Sequence, residues 1–304
     1  MMPVRAKLGR VRDLWRYPVM GLQGERLQTA EIREAGVVGD HRYVFQDSGA
    51  GRVIDPVTYA HRWGETLAFP SMLDLRARFA PGDSTRLDIV TPNGRVLSSG
   101  DPDFQARIGE ALGVPIKLME FPQVAETRQR AGRALHLITT ASLDSMKNLY
   151  PEGDFDPRRF RPNIVVSSRP ERNGFAEESW VGESIRIGPE VVLRVEKANR
   201  RCKVTTMKQD DLPYDGKILD TISQKNSNVL GVMCSVVMGG VVAVGDELDR
   251  LSPRLMSFSN HSAPQALSQG TSAVETRFSQ VGRLAGWKPV SRKRDSRFLL
   301  DKGD

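Results

Sequence analysis

Leu87-Asp88-Ile89-Val90-Thr91-Pro92-Asn93-Gly94-Arg95-Val96-Leu97 sets an Asn-Gly turn between two short apolar alternations. Asn-Gly tolerates the positive φ of a tight reversal, and alternation puts every second side chain on one face, so the stretch predicts a β-hairpin. The same grammar runs outward in both directions. Val4 to Tyr17 reads as a strand stopped by Pro18, with Gly21 and Gly24 marking the next turn. Leu27 to Ala35, Gly36, Val37-Val38-Gly39-Asp40 and Arg42 to Phe45 read as strand, turn, strand. Ile164-Val165-Val166, Val191 to Val195 and the paired apolar runs around Gly239-Gly240 continue the pattern.

Helices are few. Asp101 can cap a helix that takes Pro102 in its first turn and leaves through Gly113, with Phe104, Ile108, Ala111 and Leu112 on one face. A second helix spans Ala141 to Tyr150, with Leu143, Met146 and Leu149 inward. The polar stretch 123–133 reads as a linker, and 253–304, rich in Ser, Arg and Gly, reads as a flexible tail. The expected organisation is mostly β (α+β): a first domain over 1–122, a second over 123–252, and the tail over 253–304.

Composition narrows the function classes. No run approaches the roughly 20 apolar residues of a membrane helix, and the first residues carry no apolar segment after their basic ones, so a cytoplasmic location is expected. Two cysteines, Cys202 and Cys234, are too few for a disulfide framework, and His41, His61, His136 and His261 show no zinc-ligand spacing. The net charge of +7 is spread along the chain, with one cluster at Ser291-Arg292-Lys293-Arg294. A solvated basic surface accounts for it better than nucleic acid does, and some arginines facing an anionic ligand is the third reading. There is no phosphate loop of the Gly-x-x-x-x-Gly-Lys type, no Gly-x-Gly-x-x-Gly and no Gly-x-Ser-x-Gly.

Three segments carry candidate chemistry. In Arg159-Phe160-Arg161-Pro162-Asn163-Ile164-Val165, Pro162 is expected to keep Arg161 extended, which would present its guanidinium as a fork for phosphate or carboxylate beside Asn163. A surface turn with an ion pair is the plainer reading. In Arg200-Arg201-Cys202-Lys203-Val204-Thr205-Thr206, flanking cations favour the thiolate, the form that binds soft metals. A small buried cysteine whose basic neighbours face water fits the same residues. In Leu137-Ile138-Thr139-Thr140-Ala141-Ser142-Leu143, the hydroxyls can cap the helix, or hold a phosphate with its free N–H groups. Cys234, inside an apolar strand, reads as core.

These segments in this order resemble the MOSC superfamily, the molybdenum cofactor sulfurase C-terminal domain. Tyr17-Pro18-Val19-Met20-Gly21-Leu22-x-Gly24-Glu25 and Gly36-x-x-Gly39-Asp40 are similar to the N-terminal β-barrel domain that accompanies it, and the three segments above, with Val244-Gly245-Asp246, to the MOSC β-barrel itself. The resemblance implies a barrel-like N-terminal domain, a MOSC barrel with a few helices, and a cofactor in the cleft between them. It further implies molybdenum coordinated by the sulfur of Cys202, with Arg161, Asn163 and Arg201 on the pterin or its phosphate, and Thr139, Thr140, Thr205 and Thr206 lining the pocket. Two departures stand out. Where eukaryotic reductase members and several bacterial ones carry Lys-Ser after Pro-Val this chain has Met20-Gly21, and where those members carry Arg after the Gly-Asp turn it has His41, leaving Arg42 to substitute. The amidoxime-reducing members imply reduction of N-hydroxylated or N-oxide substrates with electrons from a separate partner, since the chain has no haem or flavin motif. The alternative is a sulfur carrier or cofactor-handling protein, with Cys202 carrying a persulfide from a partner desulfurase.

Overall fold

The computed structural model describes residues 6–58, 60–61, 64–120, 132–168 and 174–251. All but the last two residues of the expected linker at 123–133, and the expected tail at 253–304, lie outside them. The fold is mostly β, built on a closed barrel of seven strands. In chain order these are β1 (Ala6–Arg16), β2 (Leu135–Thr139), β3 (Ile164–Ser168), β4 (Ser184–Ile187), β5 (Val191–Arg200), β6 (Val229–Met238) and β7 (Glu247–Leu251). Around the ring the order is β3-β2-β6-β5-β4-β7-β1, and β1 closes it by pairing with β3. The β2–β3 pair is parallel and the other pairs are antiparallel. The strand nearest the N-terminus is thus a stave of a barrel whose other six strands all follow residue 134.

Period-two alternation explains the two faces of the wall. Leu135, Leu137, Ile164 and Val166 point into the lumen with Leu8, Val11, Leu14, Val195 and Val232, while Ile138 and Val165 point outward. The outer face is covered by α2 (Thr140–Leu149) and α3 (Lys217–Asn226), which bury Leu143, Met146, Ile218 and Ile222 against it. Each such fully buried aliphatic side chain contributes about 1.5–3 kcal/mol. At Gly9, where β1 meets β3, there is no room for a side chain. A Cβ at Gly9 would stand 2.3 Å from the Ser167 carbonyl oxygen.

Residues 17–120 supply a second core, gathering Val19, Leu22, Phe45, Ile54, Met72, Leu87, Ile89, Phe104, Ile108 and Ile116. The Asn-Gly hairpin is present, with Asp83–Val90 pairing antiparallel to Val96–Ser98 and Gly94 at φ 79°. The first helix, α1, is Phe104–Leu112 and leaves through Gly113 in the left-handed region. It starts later than expected. Asp103, not Asp101, holds the N-cap position without a side-chain bond, and Asp101 instead accepts from the Ser98 N–H at 3.4 Å, closing the turn out of the hairpin.

The crowding at Gly9 makes the closure testable. Gly9→Ala should lower stability by about 1–3 kcal/mol, as overpacking does, read as a shift in the urea midpoint. An unchanged midpoint would mean that the seam is looser than this geometry requires.

Candidate functional site

Closing the barrel brings two loops together. The segment Tyr17–Leu22 leaves β1, and Pro157–Asn163 enters β3. The Trp15 N–H donates to the Asn163 carbonyl at 2.8 Å and fixes their register. Tyr17 is buried between them. Its N–H donates to Asp40 Oδ1 at 2.7 Å, its hydroxyl donates to the Pro162 carbonyl at 3.2 Å, and its ring lies 4.3 Å below the Arg161 guanidinium. Burial pushes its phenol well above the ordinary range, opposed by Arg161. Asp40 also holds His41 Nδ1 at 2.8 Å, and the His41 ring stands 6.2 Å from that of Tyr17.

Arg161 is not extended. It closes the 3-10 turn Pro157–Phe160 in the left-handed region, at φ 52° and ψ 53°. The local rule excludes only the right-handed region before proline. The left-handed alternative costs about 1–3 kcal/mol, which the side chain's anchors offset. Its Nη1 donates to the Leu22 carbonyl at 2.6 Å. Its Nη2 is buried and has no hydrogen-bond partner among the described residues. Arg201 meets the same turn, donating through Nη2 to the Phe160 carbonyl at 2.7 Å and lying over the Phe160 ring.

Cys202 is half-buried and precedes the 3-10 turn Lys203–Thr206. One side packs against Val57, Leu73, Val204 and Met207, so residues from the first half of the chain flank the thiol. Two buried glutamines join the halves there. Gln23 donates to the Leu73 carbonyl at 3.2 Å and to Gln209 at 3.4 Å, and Gln209 donates to the Val204 carbonyl at 2.9 Å. Arg159, fully buried, braces the return of this loop by donating to the carbonyls of Asp154, Met207 and Pro213.

The other expected residues are engaged in the fold. Asn163 is 1 % exposed, and its amide takes the His136 N–H at 3.1 Å and gives to the Trp15 carbonyl at 3.4 Å, tying β2, β3 and β1 together. Thr139 caps α2, accepting from the Ser142 N–H, and it donates to the buried Glu177 at 2.6 Å. Thr140 accepts from the Ser168 N–H at 3.1 Å. The hydroxyl protons of Thr205 and Thr206 go to the carbonyls of Cys202 and Lys203, which leaves their oxygens as acceptors. Arg42 is held by Glu120 at 2.6 Å, and His41 is the residue that stands beside Tyr17.

Two acids escaped the sequence reading. Glu177 accepts from both Thr139 and Ser142, and burial raises its pKa against those bonds. Asp55 is 5 % exposed and receives one weak bond, from the Val57 N–H at 3.4 Å. Burial pushes its carboxyl up to about 7, with the Val57 N–H and the charge of Arg161 opposing. No sequence signal marks either residue, because both depend on burial by distant segments.

The larger described cavity, of about 830 Å³, lies elsewhere and is lined by Arg16, Arg26, Arg76, Arg78, Trp15 and Phe79 among others. Its arginines pair with Glu25, Asp13, Asp210 and, at 3.9 Å, Asp88, which cancels much of the charge that nucleic acid would seek. No described helix is long and apolar enough to cross a membrane.

A family model described as the MOSC domain matches residues 119–249. This segment is a MOSC domain. MOSC domains are associated with molybdenum-cofactor binding. No curated protein matches the chain. Among solved structures, the YUAD protein from Bacillus subtilis is 12% identical, with 81% of this chain and 98% of that one covered and a TM-score of 0.45. YiiM from Geobacillus stearothermophilus and YiiM from Escherichia coli are each 18% identical over 40% of this chain and 55% of theirs, with TM-scores of 0.30 and 0.28. The MOSC segment supplies Arg161, Arg201 and Cys202, while Tyr17, Asp40, Asp55, Val57 and Leu73 come from residues before it.

The state of Asp55 predicts a pH-dependent cost. Below its ordinary pKa of 3.8 the group is protonated in both folded and unfolded chains and has no effect. Between 3.8 and about 7 the unfolded chain releases a proton that the folded chain keeps, so stability falls as pH rises, and above about 7 the loss is complete. Asp55→Asn should therefore stabilise the protein by about 2–4 kcal/mol near pH 8, and the gain should fade as pH falls toward 4. Urea denaturation of both proteins across that range checks this, and a destabilised variant at high pH would show that Arg161 holds the carboxylate ionised.

Proposed function

We propose that this chain binds a molybdenum cofactor with Cys202 as sulfur ligand to the metal, and that it reduces N-hydroxylated or N-oxide compounds with electrons from a separate donor protein. The observation that carries the reading is the setting of Cys202. It is a half-exposed thiol on a MOSC domain, beside a turn where Arg161 keeps one buried guanidinium nitrogen without a partner. A soft sulfur and a guanidinium with one uncommitted nitrogen suit a group that combines a soft metal with an anionic tail. When bound, the cofactor supplies two-electron redox chemistry and oxygen-atom transfer.

The chain's own residues do the rest. Cys202 holds the metal. Val57, Leu73 and Met207 shield one side of its sulfur from water. Arg161 donates to the pterin or its phosphate, and Arg201 sets its charge beside the same turn. Thr205 and Thr206 keep lone pairs for a donor on the cofactor. Tyr17 orients Arg161 by lying under its guanidinium. Asn163, Thr139 and Thr140 serve indirectly, by fixing the strand and helix ends that carry the site.

Metal analysis of purified protein tests the ligand. Cys202→Ser should lose most of its molybdenum, whereas Cys234→Ser, which alters a thiol that is 0 % exposed, should keep it. Wild type charged with cofactor should turn over benzamidoxime with a reduced dye as donor. Molybdenum retained in full by Cys202→Ser, or a persulfide on Cys202 in place of metal, would overturn the reading and favour sulfur carriage.

A further inference from the structure

Two buried polar groups beside the Arg161 turn lack complementary partners. Asp55 has one long bond to its two oxygens, from Val57 N–H at 3.4 Å. Arg161 Nη2 has no acceptor. No ion pair joins the two residues, although the carboxyl senses the guanidinium charge. They converge through the Tyr17–Leu22 loop. Arg161 Nη1 holds the Leu22 carbonyl, and one residue back Gly21 lies against the strand Ile54–Asp55. A Cβ at Gly21 would stand 2.7 Å from Pro56 Cδ and 3.6 Å from Asp55 Oδ2. Ile54 faces the core, so its neighbour Asp55 faces away from it, and Val57 continues to the Cys202 cluster.

We infer that Asp55 and Arg161 together read the 2-amino-4-oxopyrimidine edge of a pterin. That edge presents two N–H donors followed by a carbonyl. A carboxylate accepts from both donors, and a guanidinium N–H completes the pattern at the carbonyl. What each side chain lacks is what this edge supplies. Unsatisfied buried groups of this kind cost stability, a cost that a ligand with complementary groups removes. Burial of Asp55 agrees, since the ligand's donors would replace the solvation that folding removed. The assignment rests on the cofactor reading above and extends it to a residue outside the MOSC segment.

The probes are 6-hydroxymethylpterin, its 2-oxo counterpart 6-hydroxymethyllumazine, and guanosine, each titrated into the cofactor-free full-length chain by ligand fluorescence or calorimetry. Wild type should bind the pterin at least about tenfold more tightly than the lumazine, the equivalent of one charged hydrogen bond. Asp55→Asn, an isosteric change expected to fold at least as well, should erase that preference. Equal binding of the two pteridines, no binding of either, or a preference that survives Asp55→Asn overturns the assignment, and guanosine binding as tightly as the pterin gives the site to a purine nucleoside instead. Metal content separates this from the larger reading. Molybdenum held on Cys202 without pterin discrimination leaves the cofactor proposal standing and removes Asp55 from it, while discrimination without molybdenum supports Asp55 and removes the metal.

Discussion

One backbone register governs the site. The bond from the Trp15 N–H to the Asn163 carbonyl sets β1 against β3, and the strands run antiparallel from there through Leu14 and Ile164. Because the chain leaves β1 just where it enters β3, the two connecting loops emerge together. Tyr17 and Leu22 then meet Pro162 and Arg161 without any long reach of side chains. A slip of one residue would turn Leu14 out of the lumen and carry Tyr17 away from Arg161. Asn163 guards against that slip, since its amide binds both neighbouring strands and is satisfied only in this register. Its worth to the site is positional.

Buried polar groups sort the rest of the molecule. Arg159 spends its donors on three carbonyls, and Glu177 collects two hydroxyls at the start of α2. Both are charged or titratable and buried, and both are satisfied from within, which is the behaviour of framework residues. Asp55 and Arg161 Nη2 are the contrast, one short of donors and the other of an acceptor, although each stands near the other. No ion pair joins them, although the Asp55 carboxyl senses the Arg161 charge. Tyr17 beneath the guanidinium and the Leu22 carbonyl on Nη1 hold Arg161 where it stands. The fold thus leaves both groups under-satisfied beside the Tyr17–Leu22 loop.

What was legible in the sequence was local. Alternation gave the strands, Asn93-Gly94 the hairpin, Gly113 the helix exit and Thr139 the cap of α2, because each depends on neighbours within a few positions. Motif order marked the Arg161 and Cys202 segments. The failures are non-local. Pro162 was expected to extend Arg161, but the side chain is anchored to Leu22, more than a hundred residues away in sequence, and the backbone turns left-handed to reach it. Arg42 looked available for an anion until Glu120, on the strand paired with the one Arg42 precedes, took it. Asp55 is an ordinary aspartate on paper, and only its burial makes it chemically unusual.

The Met20-Gly21 pair, where the reductase members it resembles carry Lys-Ser, is more than the absence of a cation and a hydroxyl. Met20 is buried with Val44, in a core that has no place for an ammonium. Gly21 has φ 85°, and any side chain there would meet Pro56 and Met72 below 3.0 Å. A Ser at 21 would therefore displace the strand that carries Asp55 or force the loop into another conformation. The loop backbone and Asp55 are mutually dependent: the glycine lets the strand approach, and the strand brings a carboxyl to the edge of the Arg161 turn. Where Lys-Ser would reach out from the loop, this chain has a buried methionine and a glycine, and the carboxyl beside that glycine belongs to Asp55.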